Sequence, residues 1–315
     1  MAAKTPAMSL TLEELSRQLM VPLRGDPDTR VDSACSLEAP RPGALCFCEK
    51  ANQVKFGPGE IGILITPGPP EGDWNVLLST NPRVTFAQAL RLLYPEPALV
   101  AGVHQTAWLD PTARVHPGAR VGPLCCVEAG AVVEEGAELV AQVTLGAGAV
   151  VGAGSKLWPG SSLAAGCTVG KDCVLEPGAR VLAGSSLGDA VWLGARAVVD
   201  GATLANGIKA DNQIYVGPGS QIGPHALLIS QSCVGPDTRM GAYSLVAAQG
   251  AILGQVEVGP QVQIAGRCVI AESVTEKGSA WAGDPAVPYS LEMRNRALRL
   301  KALPAYLKRS RPQPP

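Results

Sequence analysis

Three histidines, His104, His116 and His225, are the side chains of this chain whose ordinary pKa lets them exchange a proton near neutral pH. A histidine acts as a general base when it comes within about 3 Å of the proton it removes and a second group orients its ring. Zinc hydration chemistry needs three histidines converging on one ion. With His104 and His116 well before His225, that arrangement is excluded, and no metal is expected. The nine cysteines are scattered, and Cys46-Phe47-Cys48 has no second pair at a zinc-binding distance. Cys125, Cys167, Cys173, Cys233 and Cys268 fall where small apolar residues are wanted, so free thiols in a cytoplasmic protein are expected. A formal net charge of −1 argues against a nucleic-acid partner. The absence of a Gly-rich phosphate loop near the N-terminus argues against nucleotidyl transfer. No stretch reaches transmembrane length or has the apolar core of a signal peptide.

What must position these groups is a period. Every sixth residue from Leu109 to Val199 is Leu or Val, through Val115, Val127, Leu145, Leu163, Leu175 and Leu193. The pattern lapses after Asp200 and resumes one residue out of phase at Val216, running through Ile222, Val234, Val246 and Ile264 to Ile270. Six residues turn an α-helix by about 600°, so a helix would scatter these side chains around its circumference. A β-helix of hexapeptide repeats needs this spacing, since each hexad is one side of a triangular coil and its aliphatic residue points to the axis. Small residues two positions earlier (Ala119, Ala149, Cys167, Cys173) fit beside the aliphatic one, and Gly and Pro supply the corners. With 36 glycines and 27 prolines the composition leans towards disorder, but a disordered chain has no reason to keep a period. Eighteen residues per coil predict eight or nine coils. His225, three residues past axial Ile222, falls on or near a corner.

The fold class expected is mainly β: a parallel β-helix with an N-terminal α/β domain over residues 1–100, the prism over 101–284 and a C-terminal helical extension over 285–315. Thr11-Leu12-Glu13-Glu14 is a capping box opening a helix through Leu19, and residues 62–66 and 75–79 read as buried strands. Asn81-Pro82 caps a second helix carrying Val84, Phe86, Ala89, Leu90 and Leu93. From about Ser290 to Lys308, Leu291, Leu298, Leu300 and Leu303 alternate with Arg294, Arg296, Arg299 and Lys301, and Pro304 breaks the segment.

The order of these elements resembles the bacterial UDP-3-O-acylglucosamine N-acyltransferases of lipid A synthesis. The resemblance rests on Ser36-Leu37-Glu38 with Pro42-Gly43-x-Leu45-x-Phe47, on Gly102-Val103-His104 with Ala107 and Asp110-Pro111-x-Ala113, on Asp211-Asn212, and on Ala282-Gly283-x-Pro285-Ala286. It implies a left-handed β-helix, a homotrimer with sites between neighbours, and transfer of a 3-hydroxyacyl chain from acyl carrier protein to the 2-amine of a UDP-sugar. No cofactor is implied beyond the carrier's phosphopantetheine thioester. It implies a substrate-binding role for Phe47, Lys50 and Asn212, and contact of Arg294, Arg296, Arg299 and Lys301 with the acidic carrier.

The resemblance also exposes departures. The family's general-base histidine lies seven residues after the motif aspartate, which here is Pro218, followed by Gly219 in place of an asparagine. A second family histidine falls on Gln255, and neither residue accepts a proton at neutral pH. The loops at 184–188 and 200–207 are shorter than the family's, and Lys50 and Gln53 stand where a uracil clamp is expected, with Phe56 as a substitute ring. His225 and Asp211 are the remaining candidates for proton transfer. The competing expectations are a catalytically silent trimeric relative serving as a binding or scaffold protein, and an acyltransferase with a different acceptor.

Overall fold

The computed structural model describes residues 8–95 and 100–302, with the side chains of Ala51, Lys301 and Ala302 left out. The chain divides into two compact units, Met1–Ala98 and Leu99–Pro315.

In the first unit five short strands form one sheet in the order Leu23–Arg24, Val76–Leu78, Ile63–Thr66, Ala44–Phe47, Ser33–Ala34. The Leu23–Arg24 pairing is antiparallel and the others are parallel. Alternation along the central strands buries both faces. Leu45, Ile63, Ile65 and Leu77 pack with Leu12 and Leu15 of helix α1 (Leu12–Leu19) and with Ala89 and Leu93 of α2 (Pro82–Leu93). On the other face Cys46, Cys48 and Leu64 meet Trp74 and Val76. The capping box forms as expected: Thr11 Oγ1 accepts from Glu14 N at 3.1 Å, and Glu14 accepts from Thr11 N at 2.8 Å. Helix α2 begins at the Asn81 cap, but its buried face is Pro82, Thr85, Ala89 and Leu93, while Val84 is exposed. Thr85 turns inward because its hydroxyl pairs with buried Ser79 at 2.7 Å.

The second unit is the β-helix of hexapeptide repeats that the period predicts. Among the described residues its three faces are sheets of twelve, ten and nine strands, parallel except for the last strand of face 1, beginning at Gly102–Val103 (face 1), Trp108–Leu109 (face 2) and Arg114–Val115 (face 3). Before the last two strands of face 1, each strand is two residues long and pairs in register with the strand one coil on, as Lys156↔Val174 and Leu157↔Leu175 do. The first residue of each pair points outward and the second inward, so the axial column from Val121 to Ile270 is buried throughout. The face with nine strands sets nine complete coils, within the expected count.

The phase slip has a local cause. Strand Val198–Val199 is followed by Thr203–Leu204, so the corner between them holds three residues where others hold four. The period therefore resumes at Leu204 and Ala210, earlier than the expected Val216; Ala210 is axial but too small to mark the phase. Cys125, Cys167, Cys173 and Cys268 are buried as expected, whereas Cys233 is exposed. It immediately precedes axial Val234 and takes the outward position of its strand.

Outward residues also carry charge. On face 1 Glu138, nearly buried, pairs with Arg120 one coil below and with Lys156 one coil above, the latter at 3.3 Å. On the edge between faces 1 and 2, Gln213, Gln231, Gln249 and Arg267 stack one per coil, each amide or guanidinium donating to the residue beneath at 3.0–3.1 Å. All four are in the left-handed backbone region, with φ near +60°.

Helix α3 (Tyr289–Ala297) continues as a wide turn over Leu298–Ala302 and buries no residue. Leu291, Leu298 and Leu300 are exposed, so its expected apolar stripe is uncovered in the single chain. Leu303, Pro304 and Lys308 lie outside the described residues.

Candidate functional site

Three hexads per coil assign every corner residue to one of three edges, and the candidate groups fall on different ones. Asp211 and Asn212 follow strand Lys209–Ala210 and lie on the edge between faces 1 and 2. Pro218, Gly219, Asp237 and Gln255 lie on the edge between faces 2 and 3, and Asp200 lies there one coil below Pro218. His116 and His225 occupy the edge between faces 3 and 1, and His104 the edge between faces 1 and 2, at the start of the prism. Within one chain the structure does not bring His225 and Asp211 together.

Asp211 is engaged locally. One carboxylate oxygen accepts the Ser230 hydroxyl from the coil above, and the other accepts Asn212 N at 2.8 Å. These bonds, Ser230 first, hold its carboxyl below the ordinary aspartate value. A carboxylate stabilised in this way is a poorer proton acceptor. Replacing Ser230 with alanine should move the Asp211 titration upward, read from its carboxyl carbon resonance; an unchanged midpoint would refute the assignment. Because the folded value is depressed, the associated stability is present above the unfolded pKa and lost as pH falls through the folded one. Asn212 uses its side-chain oxygen to accept Ala195 N at 2.8 Å, tying its corner to the coil beneath.

His225 is an exposed corner residue at φ +57° whose ring stacks on Tyr243, centroids 5.0 Å apart and planes 19° off parallel. No carboxylate partner orients it among the described residues. The side chain lies over Gly207, where a Cβ would come 2.3 Å from Nδ1. The family base position, Pro218, is exposed, and Gln255 is a corner residue at φ +63°.

Under Pro218 is the shortened corner. Gly219 N donates to Gly201 O at 2.8 Å, and a Cβ on Gly201 would stand 3.1 Å from Pro218 Cβ. Beside this step the Tyr215 hydroxyl donates to Asp200 Oδ2 at 3.1 Å. Burial first, then the neighbouring Asp200 carboxylate, pushes the Tyr215 phenol above its ordinary pKa, so it remains a donor at neutral pH. Sequence reasoning missed this pair because it spans two coils; the lapse of the period at Asp200 was the signal that marked it.

In the first unit Phe47 tilts against Phe86, centroids 4.8 Å apart, and borders a cavity of about 220 Å³ together with Leu37, Glu38, Glu49, Gln53 and Arg83. Arg83 and Glu49 pair at 2.7 Å on its rim. Lys50 is exposed and not among the lining residues; Gln53 Oε1 accepts the Glu49 and Lys50 backbone N–H groups. Phe56 packs against Trp74 at 6.1 Å and borders an adjoining cavity of about 580 Å³. Arg294 and Arg296 make no ion pair among the described residues, while Arg299 pairs with Glu292 at 3.3 Å. The Lys301 side chain lies outside those described. Among the described residues no group of three or more His, Cys, Asp or Glu side chains could hold a metal ion.

A prism of in-register hexads defines a hexapeptide-repeat protein, and the bacterial transferase hexapeptide profile of six repeats matches residues 148–183. The chain belongs to the UDP-3-O-acylglucosamine N-acyltransferase family. It is 30% identical to the enzyme of that name from Pseudomonas syringae pv. tomato, over 94% of this chain and 92% of the relative. It is 27% identical to that from a Pseudomonas aeruginosa strain, over 94% and 91%. Among solved structures, the UDP-N-acetylglucosamine O-acyltransferase of Moraxella catarrhalis matches with a TM-score of 0.49 and 18% identity, over 62% of this chain and 77% of that one.

Proposed function

We propose that this protein is an acyltransferase of the lipid A pathway. In this reading it moves a 3-hydroxyacyl chain from the phosphopantetheine thioester of acyl carrier protein to the 2-amine of a UDP-3-O-acylglucosamine-like sugar. The observation that carries the reading is relatedness across 94% of the chain, which includes the α/β unit as well as the repeats. An amine attacks a thioester without activation of the kind a hydroxyl needs. Holding the two reactants together contributes more to such a reaction than a general base, whose typical share is about 10²–10⁴-fold.

The cavity beside Phe47 supports a nucleotide subsite there, with Lys50 as a further contact, and Asn212 stands as a separate substrate-binding candidate on the prism. The cationic Arg294 and Arg296 support docking of an acidic carrier, with Arg299 and Lys301 beside them. The reading includes a homotrimer with sites between neighbours and a cytoplasmic location. No described helix is long and apolar enough to cross a membrane. No cofactor is needed beyond the carrier's thioester.

A second reading is favoured by one observation. Pro218 and Gln255 offer no base, and His225 and Asp211 lie on other edges of the chain. A silent relative that binds without transferring would tolerate this. The deciding experiment is a mass-spectrometric assay with 3-hydroxyacyl carrier protein and UDP-3-O-acylglucosamine, run beside a Pro218→His variant. The unmodified protein is expected to form product above the no-enzyme rate. Product from Pro218→His alone would establish the silent relative, and product from neither would remove the acyl-transfer reading.

A further inference from the structure

The shortened corner under Pro218 holds a proton acceptor that the sequence motifs do not mark. The corner at 200–202 is one residue short, and Gly201 lies directly against Pro218, where a Cβ would stand 3.1 Å from Pro218 Cβ. Asp200 stands at the mouth of that corner, half-buried, its backbone N–H donating to Val216 O at 2.9 Å. Its Oδ2 receives the Tyr215 hydroxyl, which leaves Oδ1 without a hydrogen-bond partner among the described residues. A base needs this combination: one lone pair engaged by an orienting donor, the other open to the reactant.

Asp211, His225 and Asp237 lack it. Both Asp211 oxygens are taken, and His225 has a stacking partner but no orienting one among the described residues. Asp237, one coil above, folds its carboxylate over Gly219, where a Cβ would meet Oδ1 at 2.1 Å. That contact is a recurrent corner arrangement, seen also where Asp172 covers Gly154, and no described side chain orients Asp237.

We infer that Asp200, oriented by Tyr215, is the general base of this chain; the inference rests on the acyl-transfer reading above. The amine nitrogen forms a bond to the thioester carbon as the carbonyl π pair moves onto oxygen. The excess proton on nitrogen passes to Asp200 Oδ1. The oxyanion then collapses, the C–S bond breaks, and the carrier thiolate takes the proton back from Asp200. Products are the amide and the free carrier thiol, and the carboxylate is regenerated. Tyr215 is a positioning residue that keeps its own proton throughout.

The test is steady-state kinetics of the full-length protein with the two substrates above, on variants whose melting temperatures match the unmodified chain. Asp200→Asn should lower kcat by about 10²–10⁴-fold with KM unchanged. Tyr215→Phe should lower kcat by a smaller factor, again at constant KM. Added formate should partly restore Asp200→Ala and leave Tyr215→Phe unaffected, a response that a merely structural role would not produce. An active unmodified protein whose Asp200→Asn form keeps kcat within twofold overturns the assignment while the acyl-transfer reading stands. Loss on Asp237→Asn with Asp200→Asn spared overturns it in favour of Asp237. An unmodified chain with no transfer, alone or as Pro218→His, overturns both.

Discussion

Alanine at Gly122 is expected to cost the prism roughly 3–5 kcal/mol, against about 1–2 kcal/mol for alanine at Gly130 eight residues on. The two glycines are required for different reasons. A Cβ at Gly122 would stand 1.8 Å from Val140 O and 2.7 Å from its carbonyl carbon, both backbone atoms of the next coil. No rotamer relieves that contact, and the coils are already joined there by Gly122 N donating to Leu139 O at 2.7 Å. The substitution must push neighbouring coils apart and break ladder bonds. At Gly130 the same carbon meets nothing within 4 Å, and the cost is the left-handed backbone at φ +66° alone. Guanidinium unfolding midpoints of the two variants read the difference. Equal midpoints would mean that the coils spread freely and that close backbone approach is not what fixes glycine at this corner.

The second large effect lies on the axis. Leu157→Ala should destabilise by about 2–5 kcal/mol, because Leu157 is wholly buried between Leu139 and Leu175 and the surrounding coils cannot collapse onto the space it vacates. Thr168→Ala, outward on face 3 and exposed, should stay within about 0.5 kcal/mol. Since each coil touches only its neighbours, the loss should open the middle of the prism before its ends. Hydrogen exchange resolved along the chain checks this: protection should fall first around residues 139–175. Uniform loss along the prism would mean that it unfolds as a single unit.

The architecture was legible because axial packing admits one kind of side chain at one interval, and Leu157 or Val181 satisfies it whatever lies outside. Edge assignment was legible too, though it needs counting rather than motif reading. Seven residues from Asp211 to Pro218 is one hexad and one step, which places them on adjacent edges. Three features were not legible. Ala210 is axial yet too small to show the phase, so the aliphatic pattern marks the resumption too late. Val84 has the apolar character of a buried residue, but the Ser79–Thr85 hydroxyl pair turns its neighbour inward instead. The Tyr215–Asp200 bond joins residues on successive coils, and its existence depends on a corner one residue short. Pairings between coils depend on interval lengths, and a single altered interval changes which side chains meet.

The end of the prism has a consequence for the behaviour of the molecule in concentrated solution. A stack of parallel coils presents at its last turn a row of unpaired backbone groups, which is a template for another chain. Here face 1 finishes differently: strand Ala280–Ala282 is parallel to its predecessor, but the next strand, Val287–Pro288, runs back antiparallel to it. Pro288 has no N–H to offer at that outer strand. A reversed strand with a proline gives an incoming copy neither the direction nor the donors to continue the ladder. On face 1 the repeat that could in principle propagate without limit is thereby given a fixed length by the chain's own terminal reversal.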